Sequence, residues 1–105
     1  MARQVIWAVS ALDDLDEAAE YIARDSEFYA VALVTDAFGA AERLVEMPLM
    51  GRMVPELGRR DLRELLVQSY RLVYHVEGDR INILALIHSH RDFLKALPEK
   101  PAENL

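Results

Sequence analysis

The stretch DLRELLVQSYRLVYHVEGDRINILALIHSHR, Asp61 to Arg91, decides how this chain folds. Gly78-Asp79 in its middle is a two-residue turn of the Gly-X kind that closes β-hairpins. Folding there sets Glu77 opposite Arg80, a favourable cross-strand charge pair. The same register sets Val76 opposite Ile81, Tyr74 opposite Ile83 and Arg71 opposite Leu86. Gln68-Ser69 is a weaker turn signal that sets Val67 opposite Tyr70 and Leu65 opposite Leu72. The stretch therefore reads as an antiparallel three-stranded meander. Side chains alternate along each strand. One face holds Leu65, Val67, Tyr70, Leu72, Tyr74, Val76, Ile81, Ile83, Ala85 and Ile87. The other holds Glu64, Leu66, Arg71, Val73, His75, Asn82, Leu84, Leu86 and His88.

What precedes the meander is helical, apart from a short strand at Gln4–Val9 whose two sides are both largely apolar. Ser10, three residues before Asp13, reads as an N-cap with a box-like partner. Leu12, Leu15, Ala19 and Ile22 follow at helical spacing, with Asp13, Asp14, Asp16, Glu17 and Glu20 mostly opposite. Ser26 is a second N-cap, and the helix after it presents Val31, Val34, Phe38, Ala41 and Val45 until Pro48 stops it. So short a link makes the two helices an antiparallel hairpin. Pro48, Gly51, Pro55 and Gly58 then punctuate a loop carrying Arg52, Arg59 and Arg60 against Glu56. Met47, Met50 and Met53 beside it read as fillers at the rim of the core.

The order β-α-α-β-β-β predicts an α+β fold, a helical hairpin packed on the apolar face of an antiparallel sheet. The first strand is expected at a sheet edge or beside the last strand. Residues 1–97 form one domain, with a short C-terminal helix from Phe93 as an option and 98–105 as a tail.

Composition narrows the function. The 105 residues are 52% hydrophobic, enough for a core, and contain no cysteine, so thiolate metal sites and disulfides are excluded. No apolar run is long enough to span a membrane. Met1-Ala2-Arg3-Gln4 leads straight into the first strand, so no signal peptide and a cytoplasmic location are expected. Net charge is −6, and it is uneven: residues 1–46 carry ten acids against three arginines, residues 47–105 nine bases against eight acids. The acidic half argues against general nucleic-acid binding. No phosphate-binding Gly-rich loop, serine elbow or metal-ligand spacing is present, and no cofactor or metal is expected.

On the second face of the meander, Glu64, Arg71, His75 and His88 could grip a phosphate and move a proton. Spacing alone does not establish such a site, because polar residues on the solvent face of a sheet are the default. Leu66, Val73, Leu84 and Leu86 on the same face make an apolar patch. Either a partner covers it, or a C-terminal helix carrying Phe93, Leu94 and Leu97 folds back over it. Both readings stand.

Val5-Ile6-Trp7, Ala11-Leu12-Asp13-Asp14-Leu15, Tyr21-Ile22 and Leu44 to Pro48 with Gly51 resemble the front half of ParE/RelE-superfamily toxins. Leu62-Arg63-Glu64-Leu65, Tyr70-Arg71-Leu72-Val73-Tyr74, Val76-Glu77-Gly78-Asp79, Ile87-His88 and Arg91-Asp92 resemble their sheet. The resemblance spans residues 4–92 and implies a toxin held inactive by a wrapping antitoxin. The front half with Trp7 and the Glu77-Gly78-Asp79 hairpin look ParE-like, which implies a gyrase inhibitor with a ParD-like antitoxin and no catalytic set. The alternative is a RelE-like ribosome-dependent mRNA endoribonuclease using Glu64, Arg71 and His88. Against it, the closing tyrosine of those nucleases is missing and so is their lysine-rich segment. For the antitoxin contact the expectation is Arg59, Arg60 and Arg63 with Leu66, Val73, Leu84 and Leu86.

Overall fold

The computed structural model describes residues 3–97; the tail expected at 98–105 lies outside them. Eight elements follow in order: β1 (Gln4–Trp7), α1 (Val9–Ala23), α2 (Glu27–Glu46), β2 (Arg52–Met53), β3 (Leu62–Val67), β4 (Tyr70–Glu77), β5 (Arg80–His88) and α3 (Phe93–Ala96). The strands form one sheet in the order β1-β5-β4-β3-β2. The meander is antiparallel, and β1 lies parallel to the last strand at the edge. The α+β architecture is as expected, with a two-residue edge strand, β2, added inside the loop after α2.

Both turns behave as their residues dictate. Gly78 (φ 57°) and Gln68 (φ 55°) take the left-handed conformation that lets a strand reverse in two residues. Val67 pairs with Tyr70, Leu65 with Leu72, Val76 with Ile81 and Tyr74 with Ile83.

The register of β5 then slips by one residue between Val73 and Tyr74. Val73 pairs with Ala85, Leu72 with Leu86 and Arg71 with Ile87, where the simple hairpin register sets Arg71 opposite Leu86. Leu84 is the extra residue of a β-bulge. Because side-chain period is two, every later residue changes face. Leu86 joins the core under the helices, whereas Ala85 and Ile87 turn to the other side. The bulge is held from α1: the Leu86 amide donates to Asp14 Oδ2 at 3.0 Å, and Ser10 Oγ donates to the Leu84 carbonyl at 3.4 Å. Ser10 is thus not the cap of α1. The helix starts at Val9, and its N-cap position, two residues before Ser10, is Ala8, which offers no side-chain cap. Ser26 does cap α2, accepting from the Tyr29 amide at 3.2 Å.

The helices are also rotated from the expected stripes. They bury Ala11, Leu15 and Ala18, and Ala30, Leu33, Ala37, Ala40, Ala41 and Leu44. Leu12, Val31 and Phe38 stay exposed to solvent. Small alanines fill most of the buried positions of both helices, while the larger Val31 and Phe38 face outward. Trp7 of β1 receives Phe38 against its ring, with centroids 4.8 Å apart.

Two cores result. One lies between the helices and the sheet. The second, on the opposite face, joins Val54, Val73, Ala85, Ile87, Phe93 and Leu97. Of the apolar patch expected on that face, Val73 and Leu84 are covered by the C-terminal helix and the loop after β2, Leu86 lies in the other core and Leu66 stays exposed. The methionines are not core fillers: Met47, Met50 and Met53 are exposed.

Candidate functional site

Covalent order brings Glu64 and Arg71 together through the β3–β4 turn, with Leu66 directly opposite Arg71 and Glu64 opposite Val73. Both charged residues point away from the helices and both are buried. Arg71 Nε donates to Glu64 Oε1 at 2.7 Å. Its two terminal nitrogens donate to the Glu56 carboxylate at 2.9 and 2.6 Å, a bidentate fork. The second oxygen of Glu64 accepts from Arg52 Nε at 2.7 Å. Phe93 of α3 closes the site, its ring centroid 4.3 Å from the Arg71 guanidinium carbon. The fork from Arg71 holds the Glu56 carboxyl below its usual range, against an opposing effect of burial. Glu56 in turn pushes the Arg71 pKa up, against burial, with help from Glu64.

A second clamp sits further along β4. His75 is buried, and its Nε2 lies 3.0 Å from Asp61 Oδ2. Asp61 also takes two bonds from Arg59, at 3.0 and 2.6 Å. Burial pushes the Asp61 carboxyl up, but the bonds from Arg59 and His75 together outweigh it and hold the pKa down. Glu56 and Asp61 are thus two staples that fix the loop from Val54 to Asp61 across the sheet.

His88 is elsewhere. The bulge turns it to the helix side, where its ring stands edge-on to Tyr70 at a centroid distance of 5.2 Å. Of the three nuclease candidates, Glu64 and Arg71 touch each other and His88 faces the opposite side of the sheet. The residues expected at an antitoxin contact also scatter. Leu66 and Arg60 are exposed, and Arg63 is half-buried, donating to the carbonyls of Arg60 and Gly51. Arg59 is engaged by Asp61. Val73 and Leu86 are buried in the two different cores, so neither contributes to an exposed patch; Leu84 is half-buried at the bulge. Sequence reasoning does not single out Glu56 and Asp61 as site residues. Their signal was the isolation of single acids among the loop arginines.

Among the described residues no helix is long and apolar enough to cross a membrane. The family description that matches the chain is "ParE toxin of type II toxin-antitoxin system, parDE", over residues 5–93. The chain is 31% identical over 98 residues to "Putative toxin Y4kP" of Sinorhizobium fredii (strain NBRC 101917 / NGR234), covering 90% of this chain and 97% of that protein. Its fold is similar to a chain of the chromosomal ParDE toxin–antitoxin system of P. aeruginosa (TM-score 0.68, 21% identity, 83% of this chain and 96% of that one). It is also similar to a chain of the Mycobacterium tuberculosis toxin–antitoxin complex RelBE2 (TM-score 0.54, 23% identity, 84% and 99% covered). A mutant of the E. coli toxin RelE in the free state superposes with a TM-score of 0.60 at 15% identity, over 92% of this chain and 94% of that one. With the family's pattern running from the first strand to the start of the last helix, the chain belongs to the ParE toxins of type II toxin–antitoxin systems, within the ParE/RelE superfamily.

Proposed function

We propose that this toxin acts by binding: it inhibits DNA gyrase in the bacterial cytoplasm and is neutralised by a ParD-like antitoxin. The observation that carries this reading is the state of Arg71. Its donors are committed to Glu56 and Glu64 beneath Phe93. His88, the proton carrier a nuclease would pair with it, faces the other side of the sheet. A phosphate would have to displace two carboxylates and an aromatic ring to reach Arg71. The acidic balance of the chain adds a long-range repulsion from RNA.

For the antitoxin, support lies at the β2 edge of the sheet. Leu66 is 70% exposed, and Leu49, Met50 and Met53 are exposed as well. Exposed Arg60 and half-buried Arg63 complete a set that suits an acidic segment with apolar anchors. Of the expected contact this proposal keeps Arg60 and Arg63 with Leu66 as the apolar anchor, and leaves out Arg59, engaged by Asp61, together with Val73, Leu84 and Leu86.

The deciding experiment is a gyrase supercoiling assay with and without purified chain. Inhibition is expected, and normal supercoiling at high toxin concentration overturns the reading. New codon-phased transcript ends after induction, abolished in an Arg71→Lys, His88→Gln double variant, would instead establish a RelE-like nuclease built on Glu64, Arg71 and His88.

A further inference from the structure

The sheet ends on β1, and the outer edge of that strand is unpartnered. The Gln4 amide donates to the Asp79 carbonyl at 2.8 Å, and the Ala8 amide donates to the Ile83 carbonyl at 2.9 Å. Backbone groups alternate along a strand. Gln4, Ile6 and Ala8 therefore face β5, and the amides and carbonyls of Val5 and Trp7 point outward. Among the described residues no hydrogen bond reaches those outward groups. Sheet edges are ordinarily blunted by charge, proline or a bulge. The opposite edge follows that rule, because β2 is two residues long and carries Arg52. Gln4-Val5-Ile6-Trp7 has neither charge nor proline. Two apolar side chains at this edge are left in solvent as well: Ile6, 41% exposed and in neither core, and Val9, 74% exposed.

We propose that β1 pairs with β1 of a second copy of this chain, antiparallel about a two-fold axis at Ile6, so that two five-stranded sheets join into one. The edge is self-complementary in that register. Val5 of each copy meets Trp7 of the other, and each such pair satisfies the free N–H and C=O groups of both residues. Their side chains stay packed against the core under the helices. Ile6 lies on the other face of the strand and meets Ile6 of the second copy at the close spacing of a non-hydrogen-bonded pair. Arg3 of each copy falls opposite Val9 of the other, where α1 begins. The first turns of α1 carry Asp13 and Asp16, and among the described residues neither makes an ion pair. Both ends of the seam thus bring a cation to an acidic helix start. One symmetric operation supplies a partner for the free backbone groups, the exposed Ile6 and the end charges together.

The test is sedimentation equilibrium of the full chain, together with hydrogen exchange read amide by amide by NMR. So short a seam lies at the small end of specific interfaces, and half-dimerisation near about 100 µM is expected. The Val5 and Trp7 amides should then exchange about fourfold more slowly at about 1 mM than at about 10 µM, while exposed amides away from β1 keep their rates. Ile6→Lys sets two like charges against each other on the axis and should weaken the dimer at least about tenfold. Val31→Lys, at an exposed position on α2, should leave association unchanged. A chain that stays monomeric at about 1 mM overturns the pairing and leaves the edge to an extended segment of another protein. A dimer with unprotected Val5 and Trp7 amides, or an equal loss in the two variants, overturns it as well. If Ile6→Lys fails to fold, the exchange rates of the unaltered chain decide alone. The measurement involves neither gyrase nor antitoxin, so its failure leaves the proposed function standing.

Discussion

Arg71 is held by two carboxylates and covered by an aromatic ring, and this changes what the residue is for. A guanidinium offered to solvent can grip phosphate, while one engaged through Nε and both terminal nitrogens fastens a loop. Arg71→Ala would leave Glu64 charged and buried with only Arg52 beside it. Breaking a buried pair from one side is expected to cost about 3 kcal/mol, read as a lower urea midpoint with an unchanged slope. The same clamps set the acid limb of stability. Glu56 and Asp61 have folded-state pKa values below their ordinary 4.5 and 3.8. Their contribution is therefore complete above those values and is lost as pH falls through the lowered ones. Asp14, raised above 3.8, has the opposite sign: it favours the fold most at low pH and loses that contribution as pH rises through its raised value. Stability measured by urea midpoint should fall below about pH 4.5. Glu56→Gln should flatten that fall and Asp14→Asn should steepen it.

At the scale of elements, the short β2 strand depends on a single close approach. A Cβ on Gly51 would sit 2.5 Å from the Glu64 carbonyl oxygen and 2.7 Å from the Tyr74 hydroxyl. That hydroxyl donates to the Pro48 carbonyl at 2.8 Å and accepts from the Gly51 amide at 3.0 Å. Gly51→Ala must push β2 off β3 and break this bonded bridge. A loss of about 2 kcal/mol is expected, within the range for overpacking, with Tyr74→Phe as a milder companion measured in the same denaturation series. The bulge in β5 is the other decisive element. Hairpin turns are chosen by neighbours in sequence, so the registers flanking Gly78 and Gln68 were legible from local chemistry. The bulge was not, because what stabilises it is Asp14, 72 positions away from Leu86. One skipped residue separated His88 from Arg71 and divided the leucines between two cores.

For the whole molecule, charge is segregated. The helical hairpin is acidic, and the arginines gather on the loop and strands beyond it. On the proposed antitoxin contact, Leu66→Glu should leave the fold intact, because the side chain is already 70% exposed, yet weaken antitoxin binding about tenfold in a calorimetric titration. Arg60→Glu should act mainly on the association rate, and its effect should shrink as salt is raised.

The sequence by itself determined the order of the main elements, the helical hairpin on an antiparallel meander, both turns and the family, but not the short β2 strand. These depend on periodicity, on residues that accept left-handed backbone and on motifs a few positions long. Only the tertiary structure decided which polar residues share a face, that the second face is covered by the Val54–Asp61 loop and α3, and that Arg71 is spoken for. The physical reason is range. A strand's side-chain alternation is inverted by one bulge, the bulge is held by a helix far away in the chain, and a charged side chain takes whichever counter-charge packing brings within hydrogen-bond distance.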